Sequence, residues 1–345
     1  MRILILTQTV NRQDSVLGFF HRWIEEFAKN AEQVSVVALG VGEYSFPENV
    51  VVKSLGKESG VGKLRRIFNF YAYAWTLRKE YDVVFVHMNP EYVVLGGLLW
   101  RLLGKKIVLW YTHKSVTVSL RVATFLAHSI TTASKESFRI PSKKIVVTGH
   151  GIDTTLFSFN PHDFSTPLHL VAVGRISPAK DQLLLLKAMA LCKEKKIPVH
   201  LFIVGLPLTP RDYTYQKALE VYVEKNALHS VVSFVGSKSQ NKLADFLPGM
   251  DILLHASTTG SLDKVVLEAL AVGVVPITSN NACGEVLGEY QSLLSFMEGN
   301  ALSLVEALER VRGVSNIREL QTALHMSVVR KHELSTLIPR ILKSI

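Results

Sequence analysis

The sequence predicts an α/β protein with two doubly wound domains, each built on a parallel sheet. Three observations support this prediction. Short apolar segments alternate with segments of helical periodicity along the whole chain. The alternation is interrupted at residues 159–169 by a polar segment with two prolines, FNPHDFSTPLH, and then restarts. The chain has 345 residues, whereas single hydrophobic cores stop growing at about 250–300 residues.

The first half of the chain contains the first set of strands and helices. Short apolar runs bounded by polar residues are typical of buried strands, and apolar residues three and four positions apart are typical of helices. The helical spacing is clear for Phe20, Trp23, Ile24 and Phe27. The predicted strands are RILILTQ, QVSVVALG, DVVFVHMN and KIVLWYTH, and the predicted helices cover residues 18–30, 61–80 and 91–104.

The second half repeats the pattern at similar length. The predicted strands are LVAVG, VHLFIVG, VVSFVG, DILLHAS and VVPITS, and the predicted helices are QLLLLKAMALCKEKK, TYQKALEVYVEKN, QNKLADFLPGM and KVVLEALAVG. We therefore place a first domain at residues 1–160 and a second at 165–328, and expect a helix at about 330–345 to pack back on the first. Two such sheets facing each other would form a cleft, with ligands outside the carboxyl ends of the strands.

Composition excludes several classes of protein. Hydrophobic residues make up 48% of the chain, which excludes a disordered protein. Cys192 and Cys283 are too few for a disulfide framework and suit a reducing compartment. Three basic residues interrupt the apolar stretch at 92–111, so we predict a buried helix, a turn and a buried strand there rather than a membrane span. No signal peptide is evident, so we expect a cytoplasmic protein.

The positive charge of the chain is concentrated in its first half. Of the net charge of +10, residues 1–160 contribute most, with 20 Lys and Arg against 12 Asp and Glu. This excess favours an anionic partner or serves solubility alone. The predicted helix at 61–80 interleaves basic and aromatic residues, which fits packing against the sheet, peripheral docking on the inner face of a membrane, or nucleic-acid binding. We favour packing and expect no nucleic-acid partner.

Two polar segments follow strands of the second half. In VAVGRISPAKDQ, Gly174 ends a strand, and Arg175 and Lys180 lie five residues apart across a turn. Two cations beside a helix N-terminus can bind phosphate, although surface charge at a turn is the simpler explanation.

The second segment, STTGSLDKVVLEALAVG, carries one carboxylate, Glu268, among apolar residues. Asp263 is expected to cap the following helix, leaving backbone amides available to an anion. These amides belong to Lys264, Val265 and Val266. A carboxylate beside a diphosphate is suited to accept hydrogen bonds from ribose hydroxyls, so we assign Glu268 to that role.

In these segments and in several others, the chain resembles the family 4 retaining glycosyltransferases, which have the GT-B fold of two Rossmann-like domains. The resemblance rests on VGRISPAK, on KKIVVTGHGIDTTLF, on the strands LFIVG, VVSFVG and DILLHAS, and on KVVLEALAVGVVPITS. It implies a metal-independent hexosyltransferase without a cofactor, which uses a UDP- or GDP-sugar as donor and a glycan or lipid-linked acceptor.

The resemblance also implies roles for individual residues. Arg175 and Lys180 would bind the diphosphate and stabilise the leaving group, and the first domain would bind the acceptor. Gly18 would let the backbone approach the diphosphate, and His113 and Asn89 would lie on the sugar and acceptor side.

One position departs from the family signature. The family has a glutamate eight residues before the position of Glu268, and this chain has Gly260 there. The departure leaves open a non-catalytic nucleotide-sugar-binding protein, and a sugar-nucleotide epimerase is a further alternative. A dehydrogenase is disfavoured because no GxGxxG follows the first strand.

Overall fold

The computed structural model describes residues 1–14, 16–258 and 260–345, which form two compact units. The first unit contains residues 1–153 and 333–345, and the second contains residues 154–332. The polar segment at 159–169, which interrupts the alternation in the sequence, therefore lies within the second unit.

The first unit is built on a seven-stranded parallel sheet in the order β3-β2-β1-β4-β5-β6-β7. Its strands are β1 (Arg2–Val10), β2 (Gln33–Val41), β3 (Val50–Ser54), β4 (Val83–His87), β5 (Lys106–Trp110), β6 (Ser129–Thr132) and β7 (Ile145–Val147). The helices that connect them are α1 (Phe20–Asn30), α2 (Lys63–Thr76), α3 (Pro90–Leu102) and α4 (Val118–Leu126). Strand β3 was not predicted, because it is an edge strand whose side chains stay largely exposed.

The second unit has a five-stranded parallel sheet in the order β10-β9-β8-β11-β12. Its strands are β8 (Leu168–Val173), β9 (Val199–Val204), β10 (Val232–Phe234), β11 (Ile252–His255) and β12 (Val275–Thr278). Its helices are α5 (Gln182–Glu194), α6 (Pro210–Lys225), α7 (Gln240–Phe246), α8 (Lys264–Val272), α9 (Gly284–Leu287), α10 (Gln291–Leu294), α11 (Ala301–Arg312) and α12 (Ile317–His332). The last helix, α13 (Leu334–Lys343), belongs to the first unit and packs on α1.

The period-two pattern of β1 explains how the first sheet buries both faces. Ile3 and Ile5 point into one core, which includes residues of α1 and α13. Leu4 and Leu6 point into the opposite core, which lies beneath α2, α3 and α4. Both sets are at most 1% exposed, as expected for a parallel sheet that is covered on both sides.

The helices over the second of these cores are buried on one side only. In α2, Phe70 and Ala74 are buried, whereas Phe68 and Trp75 are exposed. The packing interpretation of the 61–80 segment therefore holds for one side of the helix. The prediction of a buried helix after residue 92 is likewise half right, because Leu98 and other residues of α3 face solvent.

A fully buried carboxylate, Asp251, holds the segment before β8. Its oxygens accept hydrogen bonds from the amides of Ser165 (3.1 Å) and His169 (2.7 Å) and lie 3.3 Å from Nε2 of His162. Burial alone would raise the pKa of the Asp251 carboxyl, but the hydrogen bonds from His162, His169 and Ser165 outweigh it and lower that pKa. The hydrogen bond to Asp251 in turn raises the pKa of His162.

We expect Asp251→Ala to lower the free energy of unfolding of the second unit by about 3 kcal/mol, because it leaves two partly buried amides and His162 without their acceptor. Denaturant unfolding checks this value.

In the wild type, the Asp251 contribution to the free energy of unfolding is present above its unfolded pKa of about 3.9 and is lost as pH falls through the lower folded pKa. The His162 contribution is present below about pH 6.5 and is lost as pH rises through its raised folded pKa. The contribution of Asp251 and His162 to the free energy of unfolding should therefore be greatest between about pH 4 and 6.5. A contribution that does not change with pH would contradict an ion pair between these two residues.

Candidate functional site

The polar segments singled out in the sequence meet at the point where the strand order of the second sheet reverses. Strands β8 and β11 are neighbours in the sheet but are separated by more than 75 residues along the chain. The loops that follow them contact each other, since the amide of Thr258 donates to the carbonyl of Ala179 at 3.1 Å. In doubly wound sheets this switch point is where ligands bind.

Two glycines shape the loop that follows β8. Gly174 has a φ of +147° and Gly205, at the end of β9, has a φ of +150°, values that other residues rarely adopt. A Cβ atom on Gly205 would lie 1.9 Å from the carbonyl oxygen of Gly174. The backbone can therefore turn toward Arg175 only because neither position carries a side chain.

Lys180 bridges the two loops. Its ammonium donates to the carboxylate of Asp263 and lies 3.4 Å from Oγ of Ser257. Asp263 Oδ2 is also 2.8 Å from Nε2 of His255, whose other ring nitrogen is 2.8 Å from Oγ1 of Thr278. Burial would raise the pKa of the Asp263 carboxyl, but the hydrogen bond from His255 and the charge of Lys180 hold it well below its usual range. Asp263 is therefore ionised throughout the neutral range.

The structure corrects the predicted role of Asp263 as a capping side chain. Asp263 does occupy the position before α8, but within the described part of the chain its carboxylate makes no capping hydrogen bond and is directed to Lys180 and His255 instead. The prediction of an available amide is wrong for Val266, whose N–H donates to the carbonyl of Asp263 at 3.1 Å.

Glu268 is buried in α8, with 4% of its surface exposed. Its Oε1 accepts from Nε2 of Gln240 at 2.6 Å and from the ammonium of Lys264, one helical turn earlier. These two donors offset the cost of burying a carboxylate among apolar residues. Glu268 is thus held in a fixed orientation, as a residue that presents an oxygen to a ligand must be.

Arg175 is the most exposed of the predicted phosphate ligands, with 46% of its side chain accessible. Its Nε lies 3.8 Å from the carboxylate of Asp212 at the start of α6. The side chain of Gln182 fixes the turn by donating to the carbonyl of Arg175 at 3.0 Å and accepting from the amide of Ser177 at 3.3 Å. The guanidinium is therefore accessible while its backbone is held in place.

Arg175, Lys180 and Lys264 each lie beside a carboxylate at this edge of the sheet. The pairs are Arg175 with Asp212, Lys180 with Asp263 and Lys264 with Glu268. A diphosphate that binds beside the loop after β8 would compete with Asp212 and Asp263 for Arg175 and Lys180. Across residues 1–14, 16–258 and 260–345, no group of three or more His, Cys, Asp and Glu side chains is placed to hold a metal ion.

The second unit matches the family model for glycosyl transferases group 1, over residues 155–316. The resemblance stated from the sequence is therefore confirmed for this part of the chain. A curated relative, the putative colanic acid biosynthesis glycosyltransferase WcaL of Escherichia coli, is 27% identical over 176 residues. The match covers 49% of this chain and 42% of WcaL, so this chain spans less than half the length of that relative.

Solved glycosyltransferase structures confirm the predicted GT-B fold. Alr3699/HepE of Anabaena, solved in complex with UDP, has a TM-score of 0.78 at 18% identity and covers 99% of both chains. Sucrose-phosphate synthase of Thermosynechococcus elongatus has a TM-score of 0.77 at 14% identity, with 99% of this chain and 98% of that one covered. A glycosyltransferase of Rickettsia africae has a TM-score of 0.75 at 14% identity, with 99% and 97% covered.

The first unit holds the remaining predicted residues. Gly18, Asn89 and His113 follow β1, β4 and β5, so all three lie near the carboxyl edge of one parallel sheet. Asn89 accepts from Gln8 at 2.8 Å across the switch point of that sheet. His113 is exposed, and its Nδ1 accepts from the amide of Ser115 at 3.0 Å.

Gly18 is a glycine because of local packing. A Cβ atom there would lie 2.5 Å from the carbonyl oxygen of Asp14, to which the Gly18 amide donates at 3.0 Å. This observation explains the residue type without a ligand, so the approach of its backbone to a diphosphate stays a prediction.

Sequence reasoning missed His255, Ser257 and Gln240, which complete the candidate site of the second unit. His255 is the last residue of β11 and Ser257 lies two residues after it, and this position at the end of a strand was a usable signal. Gln240 begins α7, 28 residues before its partner Glu268, and nothing in the local sequence indicates that contact.

Proposed function

We propose that the chain is a retaining glycosyltransferase that moves a hexose from a UDP- or GDP-sugar to a glycan or lipid-linked acceptor. The observation that carries the proposal is the bridge between Lys180 and Asp263 at the switch point of a group 1 domain. The complex of Alr3699/HepE with UDP and the description of WcaL as a biosynthetic glycosyltransferase support the donor and acceptor classes.

The proposed role of the cations is to stabilise the leaving group. When the bond between the anomeric carbon and the phosphate oxygen breaks, the electron pair remains on the diphosphate, which gains negative charge. Arg175 and Lys180 follow β8 at the switch point and can stabilise that charge electrostatically. The diphosphate would draw the Lys180 ammonium away from Asp263. We propose that these two cations remove the need for a divalent metal.

Glu268 is proposed to bind the ribose. Its carboxylate is held by Lys264 and Gln240 through Oε1. A carboxylate can accept hydrogen bonds at both oxygens, so Oε2 can serve as acceptor for ribose hydroxyls. Because α8 begins at Lys264, the ribose site would lie one helical turn from the diphosphate.

The proposed transfer retains configuration by attack on the same face that the diphosphate leaves. The acceptor hydroxyl forms the new bond to the anomeric carbon, and its proton passes to a phosphate oxygen of the donor. A two-step route requires a carboxylate nucleophile beside the anomeric carbon. Gly260 stands where the family has a glutamate, and Asp263 is engaged by Lys180 and His255, so we favour the single-step route.

The first unit is proposed to bind the acceptor, with Asn89 and His113 on the sugar and acceptor side and Gly18 near the diphosphate. The support is their shared position near the carboxyl edge of the first sheet.

A thermal-shift screen with UDP, GDP and ADP, followed by donor hydrolysis in EDTA, tests this function. We expect a rise in Tm with UDP or GDP, and slow release of hexose from the matching nucleotide sugar without divalent metal. Binding without hydrolysis or transfer to any acceptor would instead indicate a non-catalytic nucleotide-sugar-binding protein. Conversion of the donor to its epimer would identify an epimerase.

A further inference from the structure

Helices α2, α3 and α4 cover one side of the first sheet and expose apolar side chains to solvent. Six of these side chains, on Leu64, Phe68, Leu98, Leu102, Val118 and Phe125, are between 62% and 87% exposed. Soluble monomers rarely expose contiguous apolar patches of this kind unless the patch binds something.

The exposed residues have helical spacing on each helix, so they form stripes. In α2 the stripe is Leu64, Phe68, Tyr71 and Trp75; in α3 it is Val94, Leu98 and Leu102; in α4 it is Val118, Val122 and Phe125. Residues three and four apart lie on one side of a helix. The opposite sides pack into the core through Phe70, Trp100 and Leu120. Each helix is therefore apolar on two sides, and the sheet buries only one of them.

The three helices that carry the stripes are neighbours. The hydroxyl of Tyr71 in α2 donates to the carbonyl of Leu95 in α3 at 2.9 Å. Nε of Arg101 in α3 donates to the carbonyl of Leu126 in α4 at 2.8 Å. We call the exposed stripes of α2, α3 and α4 together the three-helix face.

Charge on the same helices is almost entirely positive. They contain five cations, Lys63, Arg65, Arg66, Arg101 and Arg121, against one carboxylate, Glu91. Arg65 lies 5.4 Å from the ring centre of Phe68, and Arg78, just after α2, lies 4.4 Å from that of Trp75. Cations and apolar groups are therefore interleaved, as in proteins that lie on anionic lipid surfaces.

We propose that the three-helix face binds the surface of a bilayer that contains anionic lipid. A second copy of the chain is a poorer occupant, because it would set the same five cations against one another. Protruding aliphatic residues such as Leu98 and Leu102 suit insertion among acyl chains better than contact with polar nucleic acid. Among the described residues no helix is long and apolar enough to cross a bilayer, so the contact would be peripheral.

Sedimentation of the full chain with vesicles tests the proposal. We expect at least about tenfold tighter binding to vesicles of phosphatidylcholine and phosphatidylglycerol at 7:3 than to pure phosphatidylcholine, because several cations lie near the lipid surface. Leu98→Ser together with Phe125→Ser should weaken binding to the anionic vesicles by about tenfold or more. Both residues are exposed, so the variant should keep the Tm of the wild type.

The matched control is Leu208→Ser together with Val221→Ser, which replaces two similarly exposed residues of the second unit. It should bind vesicles like the wild type. The proposal is overturned if the wild type sediments with neither vesicle, or if the two double variants bind equally. It is also overturned if sedimentation velocity shows a wild-type dimer that Leu98→Ser and Phe125→Ser dissociate, which would assign the face to a second copy. The vesicle experiment contains no sugar donor and measures no transfer. A negative result would therefore overturn the membrane proposal without contradicting the proposed transferase activity.

Discussion

Replacing Lys180 with alanine is expected to lower kcat for hexose transfer by about 10²–10³, the usual cost of removing one group that stabilises developing charge. Lys180 carries this role because its ammonium lies between the loops after β8 and β11. The measurement is steady-state kinetics with the donor identified by the thermal-shift screen. Arg175→Ala should act in the same direction.

Asp263→Asn is the matched control for Lys180→Ala, since it keeps the ammonium and removes the carboxylate that pairs with it. It should tighten binding of free UDP or GDP by about tenfold, because a negative charge next to the diphosphate is removed. Calorimetry measures this affinity. If Lys180→Ala and Arg175→Ala both keep the turnover of the wild type, these residues do not stabilise the leaving group. Weaker nucleotide binding in Asp263→Asn would show that Asp263 positions Lys180 rather than competing with the diphosphate.

Replacing Glu268 with glutamine is expected to raise the Kd for the nucleoside diphosphate about 10–100-fold. The substitution keeps the shape of the side chain but removes the charge, and hydrogen bonds to a charged group are worth about 1.5–3 kcal/mol each. Because the base and the phosphates are bound elsewhere, the same variant should lose less affinity for a 2′,3′-dideoxy nucleotide. Isothermal titration calorimetry with both nucleotides gives the comparison.

Lys264→Met separates the ribose role of Glu268 from its ion pair. This variant removes the salt bridge within α8 and leaves the carboxylate and its contact with Gln240 in place. Its Kd should rise much less than that of Glu268→Gln. Equal losses in the two variants would mean that Glu268 acts only by stabilising α8, and an unchanged Kd in Glu268→Gln would remove its ligand role altogether.

The candidate site shows where sequence reasoning succeeds. Arg175 and Lys180 could be found because they follow a short buried strand and a turn, and the carboxyl ends of parallel strands share one edge of the sheet. Glu268 could be found because a carboxylate among apolar residues of a helix must have a partner. Its partner, Gln240, could not be predicted from the sequence, because it lies in another helix.

Asp263 marks the limit of the same reasoning. Its place before α8 is the usual place for a capping side chain, and the sequence alone favours that role. In the fold, Lys180 comes within reach from a loop that is 83 residues away along the chain, and an ion pair with a further hydrogen bond from His255 prevails over the cap.

The sequence by itself determined the alternation of strands and helices, the division into two doubly wound halves, and the positions of the cations after β8. These features depend on periodicity and on near neighbours along the chain, which a sequence displays directly. Only the tertiary structure decided which charges pair at the switch point and which sides of α2, α3 and α4 remain exposed. The charge pairs and the exposed helix sides each depend on contacts between segments that are distant in the chain. A helix that is apolar on two sides has the same local sequence pattern whether the fold covers one of those sides or both.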